Sequence, residues 1–100
     1  MAVVDFAFLE GFMAGDAAVV HEVLDLFRQQ AQAWRPHLDP EAPGWRDTVH
    51  TIKGSARGIG ANALGDLCAV AEEKGAGALP ALVAGLDAAI AEIDAYQARP

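Results

Sequence analysis

Runs of apolar residues at helical spacing, cut apart by glycine and proline, leave this chain little choice of fold. The cuts fall at Gly15-Asp16, at Asp39-Pro40 through Pro43-Gly44, at Gly58 to Gly60 and at Gly75 to Gly77. Gly and Pro at such points punctuate regular structure. They divide the chain into an N-terminal piece and four longer segments of about 15 to 20 residues, the size of helices in a small bundle. One hundred residues close a single core and leave little for a second. Alanine supplies 22 residues, whereas Val, Ile and Thr together supply 14. That balance favours closely packed helices over a β-sandwich.

Each long segment carries one apolar face. In the first, Val20, Val23, Leu24, Phe27, Ala31, Trp34 and Leu38 follow an i, i+3, i+4, i+7 rhythm, and Asp16 is placed to cap its start. The second runs from Trp45 through Val49, Ile52, Ala56 and Ile59, closed by Gly58 and Gly60. The third, about Ala61 to Lys74, has Leu64, Leu67, Cys68 and Ala71 as its stripe. Pro80 suits the first turn of the last helix, where Leu79, Leu82, Val83, Leu86, Ala89, Ile90 and Ile93 face inward. The expected architecture is all-α: an up-down-up-down antiparallel four-helix bundle with a short additional N-terminal helix. One domain over 1–100 is expected, with 1–15 as a capping helix rich in Phe and 16–100 as the bundle.

Composition excludes several functions. A net charge of −7 argues against general nucleic-acid binding. One cysteine rules out an internal disulfide and a tetrathiolate metal site. The opening residues have no cationic region and already contain Asp5 and Glu10, so no signal peptide is expected. The longest uncharged stretch near the end, Gly75 to Leu86, is interrupted by Pro80 and reads as too short to span a bilayer. A soluble cytoplasmic domain is expected, monomeric, with neither membrane nor nucleic acid as partner.

Chemistry concentrates on the segment from Trp45 to Gly60. His50 lies roughly 140° from the centre of the apolar stripe and so faces solvent in mid-helix. Its neighbours at helical spacing are Arg46, Lys53, Gly54 and Arg57. The segment carries three cations and one acid, in a chain that is otherwise strongly acidic. A local cationic face on an acidic protein implies a specific anionic partner. Gly54 costs a helix about 1 kcal/mol relative to alanine. By phase it lies beside His50 on the solvent side, where a bare position clears room for something arriving. If this helix and the next form a hairpin turning near Ala61, His50 and Glu72 lie side by side, being equally far from the turn. Glu72 is then placed to hold one tautomer of the imidazole. His21 and His37 lack such surroundings and read as surface residues, Cys68 as a small core residue, and Trp34 and Trp45 as packing.

The run His50-Thr51-Ile52-Lys53-Gly54-Ser55-Ala56-Arg57-Gly58-Ile59-Gly60-Ala61, followed by Leu64, Leu67, Cys68 and Glu72, resembles the signature of the histidine-containing phosphotransfer (HPt) domain family. The resemblance implies that His50 accepts a phosphoryl group from the phospho-aspartate of a receiver domain, or gives one to it, in a multistep His–Asp relay. It implies no nucleotide site and no cofactor on this chain, with Mg²⁺ brought by the receiver. The chemistry of the residues agrees. A neutral imidazole is a good nucleophile near neutral pH. Lys53, one turn along, is placed to bond phosphate oxygens, and Arg46 and Arg57 to attract an acidic rim. The docking surface is expected around residues 46 to 57 and the flank of the preceding helix, with Gly54 as clearance. Two other readings compete: a receiver-docking module that exchanges no phosphate, and a phospho-accepting domain cut from a chemotaxis-type or hybrid kinase. Retention of His50 together with Lys53 argues against the first. The initial Met and the close of the chain soon after its last helix favour a complete small protein over the second.

Overall fold

The computed structural model describes residues 2–99. They form five α-helices and no strand: α1 (Phe6–Phe12), α2 (Ala17–Trp34), α3 (Trp45–Gly58), α4 (Asn62–Lys74) and α5 (Leu79–Gln97). Two short 3-10 turns, Arg35–His37 and Ala76–Ala78, lie in the connections. Asp16 caps α2 by accepting from the Val19 amide, and Asp5 does the same for α1 from Phe8.

The four long helices pack in cyclic order, α2 on α3, α3 on α4, α4 on α5 and α5 back on α2. Short connections make neighbours antiparallel. The cross-helix pairs Arg28–Asp94 and Arg35–Asp87 show it for α2 and α5, and His50–Glu72 and Arg57–Asp66 for α3 and α4. The core is formed by the expected stripes: Val20, Leu24, Phe27 and Ala31 from α2, Val49, Ile52 and Ala56 from α3, Leu64, Cys68 and Ala71 from α4, and Leu79, Leu82, Leu86, Ala89 and Ile93 from α5. Val23, Trp34, Trp45, Leu67, Val83 and Ile90 pack around its margin.

Helix α1 closes the end of the bundle at which α3 turns into α4. Leu9 is fully buried, Phe6 stacks on Tyr96, and the Asp5 amide donates to the Gly60 carbonyl. Glu92 of α5 accepts from the amides of Val3 and Val4, and Glu10 accepts from the Tyr96 hydroxyl. Phe8 and Phe12 stay exposed.

Reading the C-terminal region by its longest uncharged run underestimates it. Pro80 sits at the start of α5 and breaks nothing, so Ala76–Gln97 forms 22 residues long and apolar enough by length and composition to cross a membrane. Much of that apolar character is alanine. The leucine and isoleucine face is spent on the bundle core, while Asp87, Glu92 and Asp94 tie the helix to α2 and to the N-terminal segment.

Candidate functional site

The α3–α4 hairpin is a rigid platform because its turn is over-determined. The Ala61 amide donates to Ala56 O at 2.8 Å, and the Gly60 amide to Arg57 O at 3.3 Å. Gly60 has φ of +82°, and a Cβ there would stand 2.9 Å from Phe8 Cδ2 and 3.0 Å from the Asp5 carbonyl oxygen. Only glycine meets both demands. Asp47 in the first turn of α3 and Arg57 in its last agree with the helix dipole.

This turn sets the register of the two helices and brings three of the sequence-selected residues together. His50 Nδ1 lies 2.9 Å from Glu72 Oε2, and Lys53 Nζ donates to Glu72 Oε1. Lys53, first, and His50, second, hold the Glu72 carboxyl below its ordinary range. Glu72 is therefore an acceptor at neutral pH, which places the proton of a neutral His50 on Nδ1 and leaves Nε2 with its lone pair. The His50 side chain is 72% exposed. The arrangement is a nucleophilic nitrogen turned to solvent, with its other nitrogen held from behind.

Lys53 departs from the sequence reading, which set it free on the solvent face. Its side chain is only 22% exposed and is paired with Glu72. Three residues after His50, it has rotated toward the α4 flank, so its stem lies in the α3–α4 seam and its ammonium meets the carboxylate. The hairpin argument that locates Glu72 beside His50 also contained this pair, since Lys53 is one turn from His50.

The two arginines divide. Arg46 stays at the site, donating to the Glu72 carbonyl at 3.2 Å and lying over the Trp45 ring at 4.5 Å. Arg57 turns away, packing over Gly65 and standing 3.9 Å from Asp66. A Cβ on Gly54 or Gly58 would meet nothing within 4 Å. Both glycines thus open the outer ridge of α3 instead of serving a helix contact.

Leu26 is a residue that periodicity passed over. It is 54% exposed on α2, outside the buried stripe. Asp25 and Arg28 face α5, through Gln97 and Asp94, so Leu26 lies on the opposite flank, toward α3. An apolar residue out of phase with its own stripe was the available signal. Cys68, directly inside the platform, has its thiol pushed up to about 11 by burial and then by Glu72, and it stays protonated and inert.

The chain matches the family model described as "Hpt domain" over residues 17–96. It is similar to the crystal structure of the histidine phosphotransferase ShpA from Caulobacter crescentus, at 53% identity and a TM-score of 0.87, covering 96% of this chain and 91% of that one. No curated protein sequence matches it.

Proposed function

The chain belongs to the Hpt domain family and has a histidine phosphotransfer role in a phosphorelay, and from that premise we propose that His50 is the residue that carries the phosphoryl group. The observation that carries this assignment is the free Nε2: Nδ1 is engaged by Glu72 at 2.9 Å while the rest of the ring is exposed beside a bare Gly54. Nε2 attacks the phosphorus of an aspartyl phosphate on a partner receiver domain. The N–P bond forms, the P–O bond to the aspartate breaks, and the carboxylate leaves with the electron pair.

Phosphoryl transfer places its demand on positioning and charge neutralisation. Here Glu72 fixes the imidazole, Lys53 is the nearest ammonium for the phosphoryl oxygens, and Arg46 adds positive potential beside them. The receiver supplies the aspartate and Mg²⁺, and the chain works as a carrier, not as a classical enzyme, with no nucleotide site of its own. The docking face is the outer ridge of α3 with Gly54 and Gly58, bordered by Leu26 and Arg46. The protein acts as a cytoplasmic monomer. Incubation with a panel of phosphorylated receiver domains tests the assignment. Acid-labile label on the wild-type chain and none on His50→Gln is expected; label retained by the variant refutes His50.

A further inference from the structure

Glu72 can orient His50 only from a fixed place, and it stands where a helix is least fixed. It lies in the last turn of α4, where carbonyls lose their partners along the helix. The Gly75 amide closes on the Ala71 carbonyl at 2.9 Å, and the helix stops there. The Glu72 carbonyl is next in line, and it accepts from Arg46 Nη1 at 3.2 Å, across the seam from α3. One residue is thus held twice by α3: its carboxylate by His50 and Lys53, its main chain by Arg46. We propose that Arg46, braced on the Trp45 ring, clamps the last turn of α4 and is a positioning residue for Glu72 and, through it, for His50. This role rests on His50 being the carrier, and it is distinct from the positive potential that Arg46 lends the site.

Placement and bracing both support a clamp. Arg46 sits in the first turn of α3, where the dipole of its own helix disfavours a cation, and reaches the last turn of α4, where the dipole favours one. Its guanidinium is held on two sides. Cζ lies over the half-buried Trp45 ring, 4.5 Å from the centroid. Nη2 lies 3.8 Å from where a Cβ on Gly75 would stand. Gly75 has φ of +94°, so the main chain turns out of α4 beside the guanidinium. Ring, guanidinium and helix end are therefore in contact in that order. A lysine at this position would keep the charge but lose the planar fork and the stack.

That difference supplies the test, because Arg46→Lys leaves the charge of the site unchanged. In single-turnover transfer from a phosphorylated receiver domain, Arg46→Lys should lower the rate at saturating receiver by about two- to fivefold, the worth of one exposed cation–π contact. The half-saturating receiver concentration and the salt dependence should stay those of wild type. The double variant Arg46→Lys, Glu72→Ala should transfer at the rate of Glu72→Ala alone, since Arg46 acts through Glu72. Amide hydrogen exchange gives a readout that needs no partner. The Gly75 amide should exchange faster in Arg46→Lys by about the same factor, while the core amides of α2 and α5 keep their protection. A wild-type rate in Arg46→Lys would overturn the clamp. So would a loss confined to the half-saturating concentration and erased by salt, or losses that multiply in the double variant; each leaves Arg46 a charge on the docking rim. Absence of label on the wild-type chain would strike at the carrier assignment instead, and the exchange of Gly75 would still decide the clamp, unchanged exchange overturning it.

Discussion

The bundle has two seams built from the same parts, and only one of them is left chemically open. Between α2 and α5, Arg28 meets Asp94 at 2.9 Å and Arg35 meets Asp87 through two hydrogen bonds of 2.9 Å, cation matched to acid. Between α3 and α4, Lys53 and His50 share the carboxylate of Glu72, with Arg46 close by on its carbonyl. The first seam closes its charges on one another. The second uses up one nitrogen of a histidine and leaves the other in solvent beside a ridge bared by two glycines. A charged pair across antiparallel helices is therefore no mark of function in itself. What separates these two is an unsatisfied, accessible lone pair next to surplus positive charge.

The largest effect expected from this contrast is at His50. His50→Gln should abolish labelling while the circular dichroism and melting curve stay those of wild type, whereas Arg35→Ala, on the closed seam, should transfer normally. A transfer defect in Arg35→Ala would erase the distinction between the seams. Gly54 comes next. Leucine there should slow transfer by about 10- to 100-fold, because a displaced partner loses near-attack geometry. Gly54→Ala should be stabilised by up to about 1 kcal/mol, since its Cβ enters open space in a helix. Gly85 is the control. Its Cβ would collide with Leu67 Cδ1, so Gly85→Ala should lower Tm as Leu67 is displaced.

Lys53→Ala should slow single-turnover transfer by about tenfold, the lower end for one charge-assisted contact in a site open to water. A small fall in Tm should accompany it, because Lys53 is half-buried against Glu72. Smallest is the acid response of the closed seam. Asp87 titrates below its ordinary range, chiefly through its hydrogen bond to Arg35. A carboxyl lowered by folding adds stability above the unfolded carboxylate range, and that part is lost as pH falls through the folded value. Asp87→Asn should thus narrow the gap between its Tm at neutral pH and in acid, by little, since the pair is exposed. An unchanged acid slope would show that Arg35 and Asp87 do not pair in solution.

The stripes of α2 to α5 were legible because burial selects one residue in three or four, and the same spacing writes itself into the sequence. Asp16 as a cap and the Gly58–Gly60 close were legible for the same local reason. Glu72 needed one step more, the symmetry of a hairpin about Ala61, and that step works only because the turn is tight. The reading failed where a long side chain decides its own course. Lys53 is polar and off the stripe, so phase alone sends it to water; its four methylenes reach into the seam instead. Leu26 escaped because periodicity records what is buried and says little of an apolar residue left outside.

By itself the sequence determined that this chain is a four-helix bundle with an added N-terminal helix, and it determined the run around His50 that resembles its family. Those are properties of local spacing, which each helix satisfies on its own. Only the tertiary structure decided which nitrogen of His50 is free, that one carboxylate serves both His50 and Lys53, that Arg46 stays at the site while Arg57 leaves it, and that Gly54 looks onto open space. The physical reason is that a hydrogen bond is fixed to tenths of an ångström by two side chains far apart in the chain. Their meeting depends on the register of α3 on α4, which the packed core and the Gly60 turn establish together.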